Sequence, residues 1–161
     1  MTMIVFAAEE TRFNYRVAGI ALRERQVLLQ YQAGMDHWCL PGGRVEFGET
    51  SVNALRREML EEAEETVQVG RLLWVAESFF RSGEGQKYHE LGFYYLMEFA
   101  ASAPVMQAPE SIVLREGQKL VTFQWHEIAE LERVTLYPPF LVQGIQQMPA
   151  QTVHLLDIQR D

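Results

Sequence analysis

The chain is predicted to fold as a mixed α/β (α+β) domain, with a mixed β-sheet and helices packed on its faces. Three observations lead there. Runs rich in aromatic and β-branched residues stand both before and after the main helical stretch and read as strands. From Thr50 to about Glu64, apolar residues recur at helical spacing. The resulting order, strands, a helix, more strands and a last helix, suits a sheet covered by helices.

Phe13 to Leu22 reads as the first strand and Val27 to Tyr31 as its partner, with the polar Arg23-Glu24-Arg25-Gln26 as the hairpin turn. Gly34 to Cys39 is a loop, and Leu40-Pro41-Gly42-Gly43 punctuates the chain sharply. Val45 to Gly48 continues as loop or short strand. Thr50 can cap the helix, because its hydroxyl accepts a bond from an unpaired first-turn N–H. Val52, Leu55, Met59 and Ala63 form the helix's core stripe. Leu72 to Phe80 and Tyr88 to Phe99 are strands joined through the turn Ser82-Gly83-Glu84-Gly85. A loop with Pro104 and Pro109 precedes a strand from Leu120 to Trp125. Glu127 to Leu131 is a short helix. Pro138-Pro139 opens a last helix reaching Gln147, since Pro is tolerated in a first turn. Thr152 to Ile158 closes the chain as a strand.

The 161 residues suit a single domain, 1–161, large enough to form a core without disulfides or structural metal. Fourteen Lys and Arg against 22 Asp and Glu leave a net charge of −8. Such a surface repels a nucleic-acid backbone, and no basic patch offsets it. One cysteine, Cys39, permits no internal disulfide, which fits a reducing cytoplasm. The first residues lack a basic segment before their short apolar run and do not read as a signal peptide. No apolar run is long enough to span a membrane.

The stretch that carries chemistry runs from Gly43 to Glu65. Glu58 to Glu65 holds five glutamates in eight residues. At about 100° per residue, Glu58, Glu61, Glu62 and Glu65 share one helix face, which we expect roughly opposite the Leu55/Met59/Ala63 stripe. Like charges at this spacing destabilise a helix, and acidic groups near its C-terminus oppose the dipole. A hard divalent cation resolves the conflict, because Mg²⁺ takes carboxylate oxygens, waters and substrate phosphates. A solvated acidic face is the plain alternative for a bare E-x-x-E-E pattern. Here the pattern follows Leu-Pro-Gly-Gly and Gly-Glu-Thr at fixed distances.

Gly43, five residues, Glu49, seven residues, then Arg57-Glu58-Met59-Leu60-Glu61-Glu62 resembles the Nudix box, G-x5-E-x7-R-E-U-x-E-E-x-G-U, with U aliphatic. Trp38-Cys39-Leu40-Pro41 before it, His89-Glu90-Leu91-Gly92-Phe93-Tyr94-Tyr95 and Trp125 with Glu127 to Leu131 extend the likeness over about Asn14 to Trp125. The resemblance implies a Nudix-like α/β/α sandwich. It also implies hydrolysis of a diphosphate linked to another moiety, by water, with Mg²⁺ or Mn²⁺. By motif position Glu58, Glu61 and Glu62 would be metal ligands, with the Gly43 carbonyl adding one. Arg57 would hold a box carboxylate by a forked ion pair, and Glu49 would support the loop or the metal. Where the box has Gly, this chain has Glu64, followed by Glu65. Glu64 must then adopt a left-handed conformation at some cost, or the helix must end differently.

A glutamate in a later loop serves many members of the family as general base. Glu116 is the candidate, ahead of Glu110 and then Glu90. Arg44 and Arg81 are candidates for phosphate oxygens. Trp38, Phe47, Phe79, Tyr88 and Tyr137 are aromatic residues able to stack on a base, although such residues are more often core. His37 and His89 lack metal spacing, and Cys39 is expected to pack rather than react. The substrate class is a nucleoside diphosphate derivative: ADP-ribose or a nucleotide sugar, a nucleoside triphosphate, or a dinucleoside polyphosphate. Similarity leans to ADP-ribose-like compounds and admits a homodimer. The alternative is a nucleotide-sensing module that binds without turnover.

Overall fold

A computed structural model describes residues 2–159. The strands form two six-stranded sheets, each mixing parallel and antiparallel pairs. The first holds β1 (Val5–Ala8), β2 (Thr11–Ile20), β6 (Gly42–Arg44), β7 (Val67–Arg81), β8 (Lys87–Phe99) and β12 (Val153–Ile158), in the order β1-β2-β8-β7-β12 with β6 also on β2. The second holds β3 (Leu22–Arg23), β4 (Gln26–Gln32), β5 (Trp38–Cys39), β9 (Ser111–Glu116), β10 (Lys119–Glu127) and β11 (Leu136–Tyr137). Helices α1 (Ser51–Ala63), α2 (Pro104–Gln107) and α3 (Leu141–Gln146) and a 3-10 turn at Ile128–Arg133 complete it.

Strand periodicity explains the layering. Along β2, Val17 joins one core cluster while Ala18 and Ile20 join the other. In β4, Leu28 faces the first cluster, and Val27 and Leu29 the second. Both faces of these strands are buried, so they read as continuous apolar runs. Helix α1 inserts Ala54, Leu55, Met59 and Ala63 into the first cluster, against Val45, Tyr95, Met97 and Phe123. Helix α3 seats Leu141 and Ile145 in the second cluster, with Trp74 and Tyr94. Leu55 and Met59 are fully buried, and side chains like these contribute about 1.5–3 kcal/mol each. Among the described residues, no helix is long and apolar enough to cross a membrane.

Both ends of α1 follow local chemistry. Thr50 caps the start, its Oγ1 accepting from the Asn53 N–H at 3.2 Å. At the other end Glu64 stands at φ 57°, ψ 24°, and the N–H groups of Glu64 and Glu65 both turn back to the Met59 carbonyl. The helix therefore keeps the left-handed ending of a glycine cap with glutamate in the strained position.

Several elements differ from the sequence expectation. Strand β7 begins at Val67, and the loop holding Pro104 contains α2, with that proline in its first turn. β1, β5, β6, β9 and β11 were not foreseen, and the expected hairpin of Phe13–Leu22 with Val27–Tyr31 does not form as such: β2 and β4 lie in different sheets, and β4 turns back only on β3, Leu22–Arg23. The glutamate face of α1 does not lie opposite the apolar stripe: Glu58 and Glu62 are 5% and 3% exposed. They sit only about 60° and 20° around the helix from Leu55, so the wall that receives the stripe covers them as well.

Candidate active site

Arg57 organises the box. Its Nη2 donates to Glu49 Oε1 at 2.8 Å and its Nε to Glu49 Oε2 at 3.2 Å, a forked pair. Nη1 reaches Glu58 Oε1 at 3.0 Å and Glu61 Oε2 at 3.1 Å. Nη2 also reaches the Arg44 carbonyl at 2.9 Å, tying α1 to β6. One guanidinium thus serves three carboxylates and one carbonyl, which the planar five-donor group permits and an ammonium does not. Hydrogen bonding from Arg57 holds Glu49 below the usual carboxylate range. Glu49 also accepts from the Glu46 N–H at 2.8 Å, which fixes the loop before α1.

Gly43 lies in β6 against this helix. A Cβ there would stand 2.1 Å from the Glu58 carboxyl carbon, so only glycine lets the carboxylate rest on the strand. Burial pushes Glu58 up in spite of Arg57, and Glu61 adds to the rise.

Glu62, one turn on, receives no hydrogen bond from Arg57. Its Oε1 accepts from Gln32 Nε2 at 3.3 Å, and its buried Oε2 has no partner among the described residues. Burial first, then the charges of Glu58 and Glu116, push its pKa up to about 8. Glu116 ends β9, beside Gly117 at φ 57°, and the packing of β9 on α1 brings its charge within reach of Glu62. Glu110 opens the other end of that strand, where its charge acts on His126 instead.

Among the described residues, no three His, Cys, Asp or Glu side chains converge as a ready metal cage. What exists is three glutamates on one helix, Glu58, Glu61 and Glu62, of which Glu62 has a buried oxygen, Oε2, without a partner among the described residues. Oxygen-only donors suit a hard cation, and Mg²⁺ characteristically leans on one or two carboxylates and keeps its remaining positions for water and phosphate. The residues therefore fit such an ion without enclosing it.

Beside the box lies a cleft of about 330 Å³. Its lining includes Arg16, Phe80, Arg81, Tyr88, Glu90 and Tyr137, and no box carboxylate. Arg16 connects the two places, since its charge interacts with both Glu62 and Glu90. Burial alone would lower the Arg16 pKa, but the acidic groups around it, Cys39, Glu90, Tyr94 and Glu62, hold it above the ordinary arginine value.

The sequence candidates scatter over this frame. Tyr88 and Tyr137 line the cleft, and Tyr88 stacks on Phe80 at 5.0 Å between ring centroids. Phe79 is turned away and stacks on His89 at 4.4 Å. Trp38 packs edge-on against His126, and Phe47 is 67% exposed outside the cleft. Arg44 contributes its carbonyl to Arg57, and Arg81 stands at the cleft with Nη1 toward the Gly85 carbonyl. His37 pairs with Asp36, and Cys39 is buried with Sγ toward the Gln30 carbonyl. Glu90 faces the cleft rather than the box, so its place among the candidate bases is withdrawn. Arg16, Gln32, Asn14 and Phe80 escaped the sequence reading. The available signal lay in β2, where Asn14 and Arg16 interrupt the apolar and aromatic run from Phe13 to Ile20.

The NUDIX domain family model matches residues 13–146. Over 86 residues the chain is 35% identical to YjhB of Bacillus subtilis (strain 168), a provisionally assigned ADP-ribose pyrophosphatase. That match covers 53% of this chain and 39% of YjhB, so the chain spans well under half of that relative's length. A Nudix hydrolase structure from Nitrosomonas europaea superposes with a TM-score of 0.61 at 19% identity, covering 92% of this chain and 79% of the other. A UDP-X diphosphatase superposes at 0.60 with 21% identity, covering 94% and 68%. At these identities the structures share a fold with the chain, and the family match runs from β2 through α3. The chain belongs to the Nudix family.

Proposed function

We propose that this chain hydrolyses a diphosphate linkage in a nucleoside diphosphate derivative, with Mg²⁺ or Mn²⁺. The observation that carries the reading is Glu62: a buried carboxylate with an unpartnered oxygen among the described residues, raised by burial and by its acidic neighbours more than the Arg16 charge lowers it. Glu58, Glu61 and Glu62 would hold the metal, with the Gly43 carbonyl as a further ligand. The ion supplies charge neutralisation and Lewis acidity at the diphosphate.

The rest falls to the chain's own groups. Arg57 fixes Glu58 and Glu61 through one guanidinium nitrogen, Nη1, which leaves the second oxygen of each outside that contact. Glu49 holds Arg57 and the loop. Glu116 is suited to take the proton from the attacking water, because it is half-buried beside Glu62 without being tied to Arg57. The water oxygen forms a new P–O bond, the P–O–P bridge breaks, and the bridging oxygen leaves with the second phosphate. Arg44, in β6, and Arg81, at the end of β7, would meet phosphate oxygens. The name of the Bacillus relative favours ADP-ribose or a nucleotide sugar over nucleoside triphosphates and dinucleoside polyphosphates.

The test is product release from a panel of these compounds with Mg²⁺ and, separately, Mn²⁺, using Glu62→Gln as control. Metal-dependent turnover that disappears in the variant is the expected result. Turnover unchanged in Glu62→Gln refutes the assignment. Nucleotide binding without turnover would instead support a sensing module.

A further inference from the structure

The cleft beside the box has a polar floor. Glu90 is 8% exposed and Asn14 is 4% exposed. Asn14 Nδ2 donates to Glu90 Oε2 at a long 3.4 Å, and among the described residues no other group donates to that carboxylate. The buried Oδ1 of Asn14 has no partner among the described residues. Half-buried Arg16 stands two residues on, and its Nη2 reaches the Leu40 carbonyl at 3.5 Å. Buried polar groups are normally satisfied, and a half-satisfied set is costly unless something else completes it. The walls are the stacked pair Phe80 and Tyr88, and Tyr137, whose hydroxyl donates to Gln159.

Among the described lining residues the formal charges balance. Arg16 and Arg81 supply two positive charges, and Asp36 and Glu90 two negative ones. A cleft built for extra phosphate would carry a positive excess. Arg16 interacts with both Glu62 and Glu90, so it is the cation that an anionic group lying between the box and the cleft would meet.

We propose that Glu90, held by Asn14, determines specificity: it accepts hydrogen bonds from a neutral, hydroxyl-bearing ring moiety in the cleft, while Arg16 meets the diphosphate at the cleft's edge. The substrate class is then a nucleoside diphosphate joined to a sugar-like group. A third phosphate in the same place would face the Glu90 carboxylate. This inference rests on the hydrolase reading for its kinetic test, but not for its binding test.

The experiment compares ADP-ribose with ATP in Mg²⁺, for wild type and Glu90→Gln. The substitution keeps shape and removes charge. The ADP-ribose over ATP ratio of kcat/KM is expected to fall about 10- to 100-fold, the range for losing a charged hydrogen-bond partner. The change should lie in KM for ADP-ribose with kcat retained, which a merely structural defect would not produce. Phe80→Ala, on the half-buried wall, should raise the same KM and provides the reading if Glu90→Gln does not fold. An unchanged ratio in both variants, with wild-type turnover intact, overturns the cleft assignment and leaves the hydrolase reading standing. If wild type turns over neither compound, the kinetic comparison gives way to binding, and the hydrolase reading is judged on the whole panel. Calorimetric binding of the same two probes then decides: preference for ADP-ribose that Glu90→Gln abolishes supports the cleft, and equal affinities overturn it.

Discussion

Replacing Glu62 by Gln should make the metal-free protein more stable, and increasingly so as pH rises. The side chain is 3% exposed, and burial with Glu58 and Glu116 raises its pKa from 4.5 to about 8. Between these values the native state holds a proton on Glu62 that the unfolded state has released. The unfolded state binds fewer protons, so stability falls as pH rises through this window and levels off above it. Each pH unit inside the window removes about 1.4 kcal/mol. At pH 7 the loss is about 3 kcal/mol, a large part of the roughly 5–15 kcal/mol that holds a domain together. Glutamine carries no proton to lose and keeps its carbonyl for the Gln32 amide. The two proteins should therefore be nearly equal at about pH 5 and diverge by about 3 kcal/mol at pH 7. Urea unfolding followed by tryptophan fluorescence in EDTA reads this directly, and taking the difference of two pH profiles cancels every titration they share. Mg²⁺ should restore the wild type at pH 8, where the carboxylate is ionised, and leave the variant unmoved. A wild-type stability that is flat from about pH 5 to 8, or a variant less stable than wild type at pH 8, would refute the claim that Glu62 is a desolvated carboxylate.

Three further substitutions probe the same helix. Glu64→Gly relieves the left-handed residue at φ 57° and should stabilise by about 1 kcal/mol, seen as a melting-temperature rise of about 2–4 °C with turnover unchanged. Arg57→Lys leaves one point charge to serve Glu49, Glu58 and Glu61; it should lower stability by about 2 kcal/mol in denaturant titration and depress turnover in the same preparation. Gly43→Ala puts a methyl 2.1 Å from the Glu58 carboxyl carbon. Because a side-chain end can swing away, stability should change by less than about 1 kcal/mol, while Mg²⁺ affinity by calorimetry should drop about 10- to 100-fold.

The elements that could be read in advance are those whose period is unbroken. β2, β4, β8, β10 and α1 each present enough turns or alternations to outweigh their neighbours. β5 and β11 have two residues each, too few for any period, and exist because Leu136 and Tyr137 pair in parallel with Trp38 and Cys39. β9 alternates exposed and half-buried residues at a sheet edge, and its apolar content is split between Ile112 and Leu114 on one side and exposed Val113 on the other. Adjacent Phe79 and Phe80 show the limit within a strand: one of each neighbouring pair faces the cleft, and composition does not say which. Glu90 meets Asn14 across 76 positions of chain through the parallel pairing of β2 with β8. No local pattern encodes that meeting, so the cleft floor was invisible where the box was plain.

The error about the acidic face carries a physical lesson about the box. Core stripe and carboxylates interleave on α1: Leu55, Glu58, Met59, Glu62 and Ala63 all enter the same wall. A solvent-facing acidic patch would be free to relax, spreading its charges into water. Here the apolar side chains that anchor the helix also forbid its carboxylates from turning outward. Hydrophobic burial, a few kcal/mol for Leu55 and Met59 together, is thereby set against the desolvation of Glu58 and Glu62. Arg57 relieves that opposition for Glu58 but does not reach Glu62. The packing that makes the helix stable is thus what keeps Glu62 poised for a cation, and weakening the core beneath Met59 would relax the site as surely as removing a carboxylate.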